Sequence, residues 1–321
     1  MSKPKILVCG ASGFIGRNIF EDLSKNGKFN VFGTYFQSKP RDKSRLFKVN
    51  LTSKEQVGVL MGMRWDCVIH AAAVTDGYLA VSANPAKYIA ANIIMNTLLG
   101  EAAFKFRVPH FIFMSCTTLY PHFLNRPVVE DDTVFTPEQL HPKYFGGAWV
   151  KLSAENIYQY FSVLGDTKFT IVRHSNIYGP HDKFDLDRGH VLAATIHKIM
   201  QAADGGIVAI WGEGKEKRDF FHISELARFI RLAMADLQKR DSKFEVYNVG
   251  LGASISIRDM AELVLRLSGK SLKIEFDASK PTVQSELVLS IEKAKIIGWQ
   301  PLYSLTEGIA QTIGWYRKNV L

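Results

Sequence analysis

Three glycines at fixed spacing, Gly10-x-x-Gly13-x-x-Gly16, follow a short apolar run from Lys5 to Cys9 and precede a helix-like segment from Asn18 to Asn26. Glycine adopts backbone conformations closed to other residues and lets main chain come close to a ligand. Strand, glycine turn and helix in that order build the first βα unit of a dinucleotide-binding sheet. Gly10 would make the tight turn, Gly13 the close approach to a pyrophosphate and Gly16 the packing of helix on strand. The phosphates would then lie at the helix N-terminus, beside Phe14 and Ile15. The spacing GxxGxxG differs from GxGxxG, so the flanking strand and helix carry this reading more than the triplet does.

The pattern continues. Apolar runs at Val31 to Tyr35, Cys67 to His70, Phe111 to Ser115 and Phe169 to Arg173 alternate with segments of helical period at Lys54 to Met61, Ala86 to Phe106 and Ala148 to Val163. Apolar runs without polar alternation suit strands buried on both faces, and helix-length connections between them give right-handed crossovers. The expected fold is α/β, a doubly wound parallel sheet of the Rossmann type. Residues 1–175 would form the dinucleotide-binding domain. After Asn176 the alternation weakens, and residues 176–321 are expected to form mainly a smaller C-terminal substrate-binding lobe, some segments of which return to the sheet.

Composition narrows the function classes. Forty Lys and Arg against thirty-one Asp and Glu give a net charge of +9, a surplus that suits an anionic ligand, but no basic stripe interleaves with aromatics as nucleic-acid binding requires. Cys9, Cys67 and Cys116 are odd in number and form no CxxC, so neither a disulfide framework nor a zinc site is expected, and the expected compartment is the reducing cytoplasm. No apolar run approaches a membrane span and no signal peptide is expected.

The second run ends without the Asp or Glu that would accept from the 2′-hydroxyl of NAD. It reads Gly33-Thr34-Tyr-Phe-Gln-Ser38-Lys39-Pro-Arg41, hydroxyls and cations that favour a 2′-phosphate and hence NADP over NAD, with a solvated basic loop as the alternative. Asn50 and Leu51 fall where an adenine would sit, and the small residues Ala71 and Ala72 after His70 would let backbone border the cofactor ribose.

These motifs, with Leu119-Tyr120-Pro121, Asn176-Ile-Tyr-Gly-Pro-His-Asp182 and Trp211-Gly-Glu-Gly214 followed by Arg218, resemble the extended short-chain dehydrogenase/reductase family over essentially the whole chain. The loop from Asn176 through His190 to Leu192 is similar to that of the fucose-synthase group, whose members use NADPH to epimerise C3 and C5 of a GDP-linked 4-keto-6-deoxy sugar and then reduce C4. The resemblance implies a nucleotide-sugar substrate and a homodimer paired through the helices around 86–106 and 148–163.

It also exposes two departures. The family's Tyr-x-x-x-Lys pair places a phenol and an ammonium on one helical face; Lys151 matches the lysine, but Gly147 stands where the tyrosine should be. Tyr144, seven residues before Lys151, replaces it only if Gly146 and Gly147 break the helix start and fold that loop inward. In Cys116-Thr117-Thr118, the position of the family's substrate-binding hydroxyl is Cys116 and that of its epimerisation thiol is Thr118. An extended segment would point both to one face and keep a thiol and a hydroxyl in the pocket; a small buried cysteine is the alternative. By the same resemblance His190 is the second acid/base group. Asn176, Lys198, Trp211, Arg218, Asp277 and Lys280 would bind the nucleotide sugar, the last two in a loop, Phe276-Asp277-x-x-Lys280-Pro281, whose continuation lacks the family's basic residues.

Overall fold

The apolar runs form a seven-stranded parallel sheet, and burial explains their composition: all four residues of β4 (Cys67–His70) and six of seven in β5 (His110–Cys116) are inaccessible. The remaining strands are β1 (Lys5–Cys9), β2 (Asn30–Tyr35), β3 (Leu46–Lys48), β6 (Lys168–His174) and β11 (Phe244–Val249). In this computed structural model, described for all residues except 1, 39, 41–42, 76–84, 122–123, 125, 135, 137, 139, 141–144, 187–188, 238, 281 and 283–285, the spatial order is β11-β6-β5-β4-β1-β2-β3. The order reverses between β1 and β4, and a crevice opens at such a switch point beyond the strands' carboxyl ends.

Helices α1 (Phe14–Lys25), α2 (Lys54–Met61), α3 (Pro85–Lys105) and α4 (Phe145–Leu164) supply the crossovers. One face of the sheet packs Phe111, Phe113 and Phe169 against Tyr158 of α4 and Leu99 of α3. The other packs Ile6, Val8 and Ile112 against Ile19 of α1 and Phe229 of α6 (Ile223–Asp236). A third apolar cluster lies in the C-terminal part, among α5 (Val191–Gln201), α7 (Ile257–Ser268), α9 (Leu305–Asn319) and the parallel pair β8 (Ile207–Trp211) and β13 (Lys273–Asp277). The same part holds the short pairs β7 (Asn176–Tyr178) with β10 (Phe220–His222) and β9 (Lys217–Arg218) with β12 (Ile255–Ser256), and the short helix α8 (Glu292–Ile296). β11, which follows much of that part in sequence, pairs with β6.

Three boundaries differ from the sequence expectation and matter for the site. α1 begins at Phe14, directly after Gly13, because the glycine turn feeds straight into helix. β5 runs on through Cys116 and β6 through His174, so both polar residues sit in the sheet ladder. α4 begins at Phe145, which places Gly146 and Gly147 inside the helix; the glycines do not break its start. Gly146 has a packing reason, since a Cβ there would come within 2.9 Å of Ile89 on α3. Among the described residues no helix is long and apolar enough to cross a membrane.

Candidate active site

The glycine loop is tightly determined. Gly10 has φ of +83°, and a Cβ there would fall 2.7 Å from Ala72 Cα; a Cβ at Gly16 would fall 2.2 Å from the Gly10 carbonyl oxygen. Gly13 is different: its Cβ would meet nothing nearer than that same oxygen at 3.4 Å. The chain's own packing does not demand glycine there, and the space above it is left clear. The N-terminus of α1 carries no side-chain cap and no acid in its first turn, so its positive end and backbone N–H groups suit an anion. These features fit the pyrophosphate of a dinucleotide. The residues that would hold it are Gly10, Gly13, Gly16 and the first turn of α1, whose Phe14 and Ile15 are half-buried against the core.

Other residues expected at the cofactor are placed differently. Thr34 is buried, and its hydroxyl oxygen accepts the Gly10 N–H at 3.0 Å; it braces the loop and cannot reach a phosphate. Ser38 is exposed, with its Oγ 3.0 Å from Oγ of Ser12, a glycine-loop residue that the sequence reading passed over. Lys39 and Arg41 lie outside the described residues, as does Tyr144. Asn50 Oδ1 accepts from the Thr52 N–H and hydroxyl at 3.1 and 2.7 Å, closing the turn towards α2, and Leu51 belongs to the core. Neither side chain presents itself to an adenine as expected. Ala71 and Ala72 are half-buried, and Ala71 donates its N–H to Cys9 at 3.1 Å. His70 is sealed in the core with Nε2 against Asn96 Oδ1 at 2.8 Å, and burial pushes its pKa down to about 3, which makes it a structural histidine.

At the carboxyl edge of β5, Cys116 Sγ lies 2.9 Å from Thr118 Oγ1. The segment is not extended: residues 117–119 form one turn of 3₁₀ helix. That turn, and not strand alternation, brings the thiol and hydroxyl together. Thr117 is half-buried and its carbonyl accepts the Tyr120 N–H at 3.2 Å. From α4, Lys151 Nζ donates to the Met114 carbonyl at 2.7 Å and lies 4.4 Å from the centre of the Phe113 ring. Burial holds its ammonium below the usual lysine value, offset in part by negative charge on Cys116 and Glu155. One turn before it, Gly147 is exposed and a Cβ there would meet nothing within 4 Å. His190 is the N-cap residue of α5. The residue is exposed, and desolvation followed by the Lys183 charge holds its pKa below the ordinary value.

The sequence reading missed His174. It pairs with Cys116 across β6 and β5, and its imidazole feels the positive charges of both Lys151 and His190. The available signal was its position at the end of the strand next to Cys116. It also missed a dry polar clamp directly beneath. Arg173 and Glu155, 5% and 4% exposed, are joined at 2.5 Å; Ser115 donates to Glu155 at 2.5 Å. Arg173 also donates to the Tyr120 hydroxyl, the Glu130 carbonyl and the Thr133 hydroxyl at 3.0, 2.8 and 2.7 Å. Tyr120 donates to Asn248 of β11 at 2.5 Å. The clamp ties β5, β6, β11 and α4 together one residue away from Cys116 and His174.

The residues expected to hold a nucleotide sugar are spread along the C-terminal part. Asn176 donates its amide to the Asp219 carbonyl at 3.1 Å. Trp211, 40% exposed, ends β8 directly beside Asp277 of β13. Arg218 donates to the Lys217 carbonyl at 2.8 Å and Lys198 to the Ala209 carbonyl at 2.7 Å. Asp277 is committed to its own turn, accepting from the Ser279 hydroxyl at 2.6 Å and N–H at 3.0 Å, and Lys280 is exposed. Among the described residues no group of three or more His, Cys, Asp or Glu side chains is placed to hold a metal ion.

The comparisons with known proteins accord with this arrangement. The chain is 31% identical over 319 residues to the GDP-L-fucose synthase of Sinorhizobium fredii (strain NBRC 101917 / NGR234), spanning 98% of this chain and 96% of that one. It is 30% identical over 319 residues to GDP-L-fucose synthase 1 of Arabidopsis thaliana, spanning 98% and 94%. Among solved structures, the UDP-glucose 4-epimerase of Thermotoga maritima superposes with a TM-score of 0.84 at 25% identity, covering 99% of this chain and all of that one. Residues 6–250 match the NAD dependent epimerase/dehydratase family. With its glycine loop, its seven-stranded parallel sheet and its Lys151, the chain belongs to the NAD dependent epimerase/dehydratase family, the extended short-chain dehydrogenases/reductases.

Proposed function

We propose that the chain modifies a GDP-linked 4-keto-6-deoxy sugar, epimerising C3 and C5 with Cys116 and His190 as the acid/base pair, with a bound dinucleotide, NADP(H) in preference to NAD. One observation carries the reading: the Cys116 thiol and the Thr118 hydroxyl meet at 2.9 Å at the carboxyl edge of the sheet, on the strand that Lys151 reaches from α4. The full-length relatives that are GDP-L-fucose synthases supply the substrate class. A thiolate is a competent base for a proton alpha to a ketone, and the Thr118 hydroxyl is placed to donate to the sulfur. His190, at the N-cap of α5, is assigned to the other face of the sugar. A bound nicotinamide supplies hydride to C4. The paired hydroxyls of Ser12 and Ser38 and the absence of an acid after β2 support the preference for a 2′-phosphate.

Arg218, Lys198, Trp211 and Asn176 are the residues assigned to the nucleotide sugar, Arg218 to its diphosphate. The exposed apolar side chains Ile93 and Ile94 on α3 and Tyr160, Val163 and Leu164 on α4 support pairing of two copies through these helices. The open space at Gly147 favours a second reading, a catalytically silent subunit that keeps the fold and the dinucleotide site in a binding or regulatory role. Incubation with NADPH and GDP-4-keto-6-deoxymannose in D₂O, followed by mass spectrometry of the sugar, separates the two. Each epimerised carbon gains one deuterium in the first reading. A product that carries neither deuterium nor added hydride, formed by protein that still binds NADPH, sinks it.

A further inference from the structure

With Gly147 in place of the tyrosine, the cleft has no phenol one turn before Lys151, and reduction of C4 needs a proton for the oxygen. His174 is available for that task and is not otherwise employed. It lies beside Cys116 in parallel register, so the two side chains leave the same face of the sheet about 5 Å apart. Its Nδ1 is 2.9 Å from the Ser175 carbonyl oxygen. A carbonyl only accepts, so Nδ1 bears the hydrogen and Nε2 is left to exchange a proton with something else. The ring is only partly buried, and among the described residues none holds Nε2.

We propose that His174 is the general acid for the C4 oxygen and stands in for the absent tyrosine, an assignment that rests on the GDP-sugar reading above. As hydride from the reduced nicotinamide dinucleotide adds to C4, the carbonyl π pair moves onto oxygen and takes the proton from Nε2 of the imidazolium. The C–H and O–H bonds form together, and His174 returns to its neutral form and is recharged from solvent. The groups that bear on the ring are Lys151 from α4, His190 from the start of α5 and Cys116 from β5. Burial, against the hydrogen bond to Ser175 and helped by the charge of Lys151, holds the free ring at about 4. The negative charge of a bound nucleotide diphosphate acts against the charge of Lys151 and favours the imidazolium when substrate is present.

Two measurements test the assignment. In ¹⁵N-histidine-labelled protein without ligands, the His174 ring should read as the Nδ1–H tautomer, and Lys151→Met should raise its titration midpoint. An Nε2–H tautomer, or a midpoint blind to Lys151→Met, overturns the proposal whatever the substrate. In single turnovers with NADPH and GDP-4-keto-6-deoxymannose, His174→Gln should slow C4 reduction by about 10²- to 10⁴-fold, the usual worth of one general acid. It should leave NADPH affinity and deuterium entry at C3 and C5 in place, and the pH profile of reduction should lose its His174 limb. Deuterium entry without reduction by the wild-type protein overturns this proposal and leaves the epimerase reading standing. Neither reaction overturns the GDP-sugar reading, and this assignment with it.

Discussion

Gly147→Tyr rebuilds the missing pair, and the structure sets what it should cost and return. The residue is the third of α4, exposed, with no atom within 4 Å of the position a Cβ would take. A side chain there enters open space, and exchange of glycine for a residue of middling helix propensity stabilises a helix by about 0.5 kcal/mol. That is a rise in the thermal midpoint of roughly 0.7 °C for a chain of this size. The new phenol lies four residues before Lys151, the spacing at which helical side chains meet. In the His174→Gln background it should restore reduction by about 10²- to 10⁴-fold; where His174 still serves, it should add far less. Differential scanning calorimetry and single-turnover reduction with NADPH read the two arms. A midpoint several degrees lower would show that the space above Gly147 is filled, and the absence of rescue in the His174→Gln background would show that this position does not face the reacting oxygen.

Three more outcomes follow from the packing. Arg173→Met strands the Glu155 carboxylate in a dry setting with only the Ser115 hydroxyl left; urea unfolding should register a loss of about 3–5 kcal/mol, and a loss below about 1 would mean that water reaches the clamp. Gly16→Ala drives a methyl to 2.2 Å from the Gly10 carbonyl, so the loop must shift, and titration of NADPH by fluorescence should show affinity weakened by about 1–3 kcal/mol; unchanged affinity refutes the cradle. His110 is buried and its folded pKa falls to about 3 through burial, then the charges of Arg240 and Lys168. The unfolded chain therefore takes up this proton first as pH drops below about 6.5, and stability is lost between there and pH 3. His110→Gln should lose about 2 kcal/mol less than wild type between pH 7.5 and 5 in urea titrations, and equal losses would contradict the burial of a neutral ring.

The sheet was readable because each of its long strands announces itself as an apolar run and each crossover as a helical period. The glycine loop was readable because its spacing sits between one strand and one helix. What the sequence concealed depends on contacts between distant segments. Thr34 looked like a 2′-phosphate ligand from its place near the end of β2; only the fold shows its hydroxyl turned inward to Gly10. Asp277 looked like a ligand until Ser279, two residues on, is seen to occupy it. The Glu155–Arg173 pair joins a helix to a strand, and neither residue stands out by type. His174 went unnoticed because its neighbours in sequence are unremarkable, whereas its neighbours in space, Cys116 on the next strand and Lys151 on α4, are fixed by a register that periodicity alone does not specify.

Ser115-Cys116 and Arg173-His174 are consecutive pairs on adjoining strands, and pleating sends the members of each pair to opposite faces. The first member of each is bolted into the anhydrous ion pair; the second borders the cleft. Mounting and reagent are thus encoded by separate letters. A change of letter at 116 or 174 alters what the cleft can do while the fixture beneath stays tight, so new chemistries can be tried at those two places at little risk to foldedness. A lineage that forfeits a phenol on a helix still has, one strand over, a rigid socket in which another proton carrier can be installed.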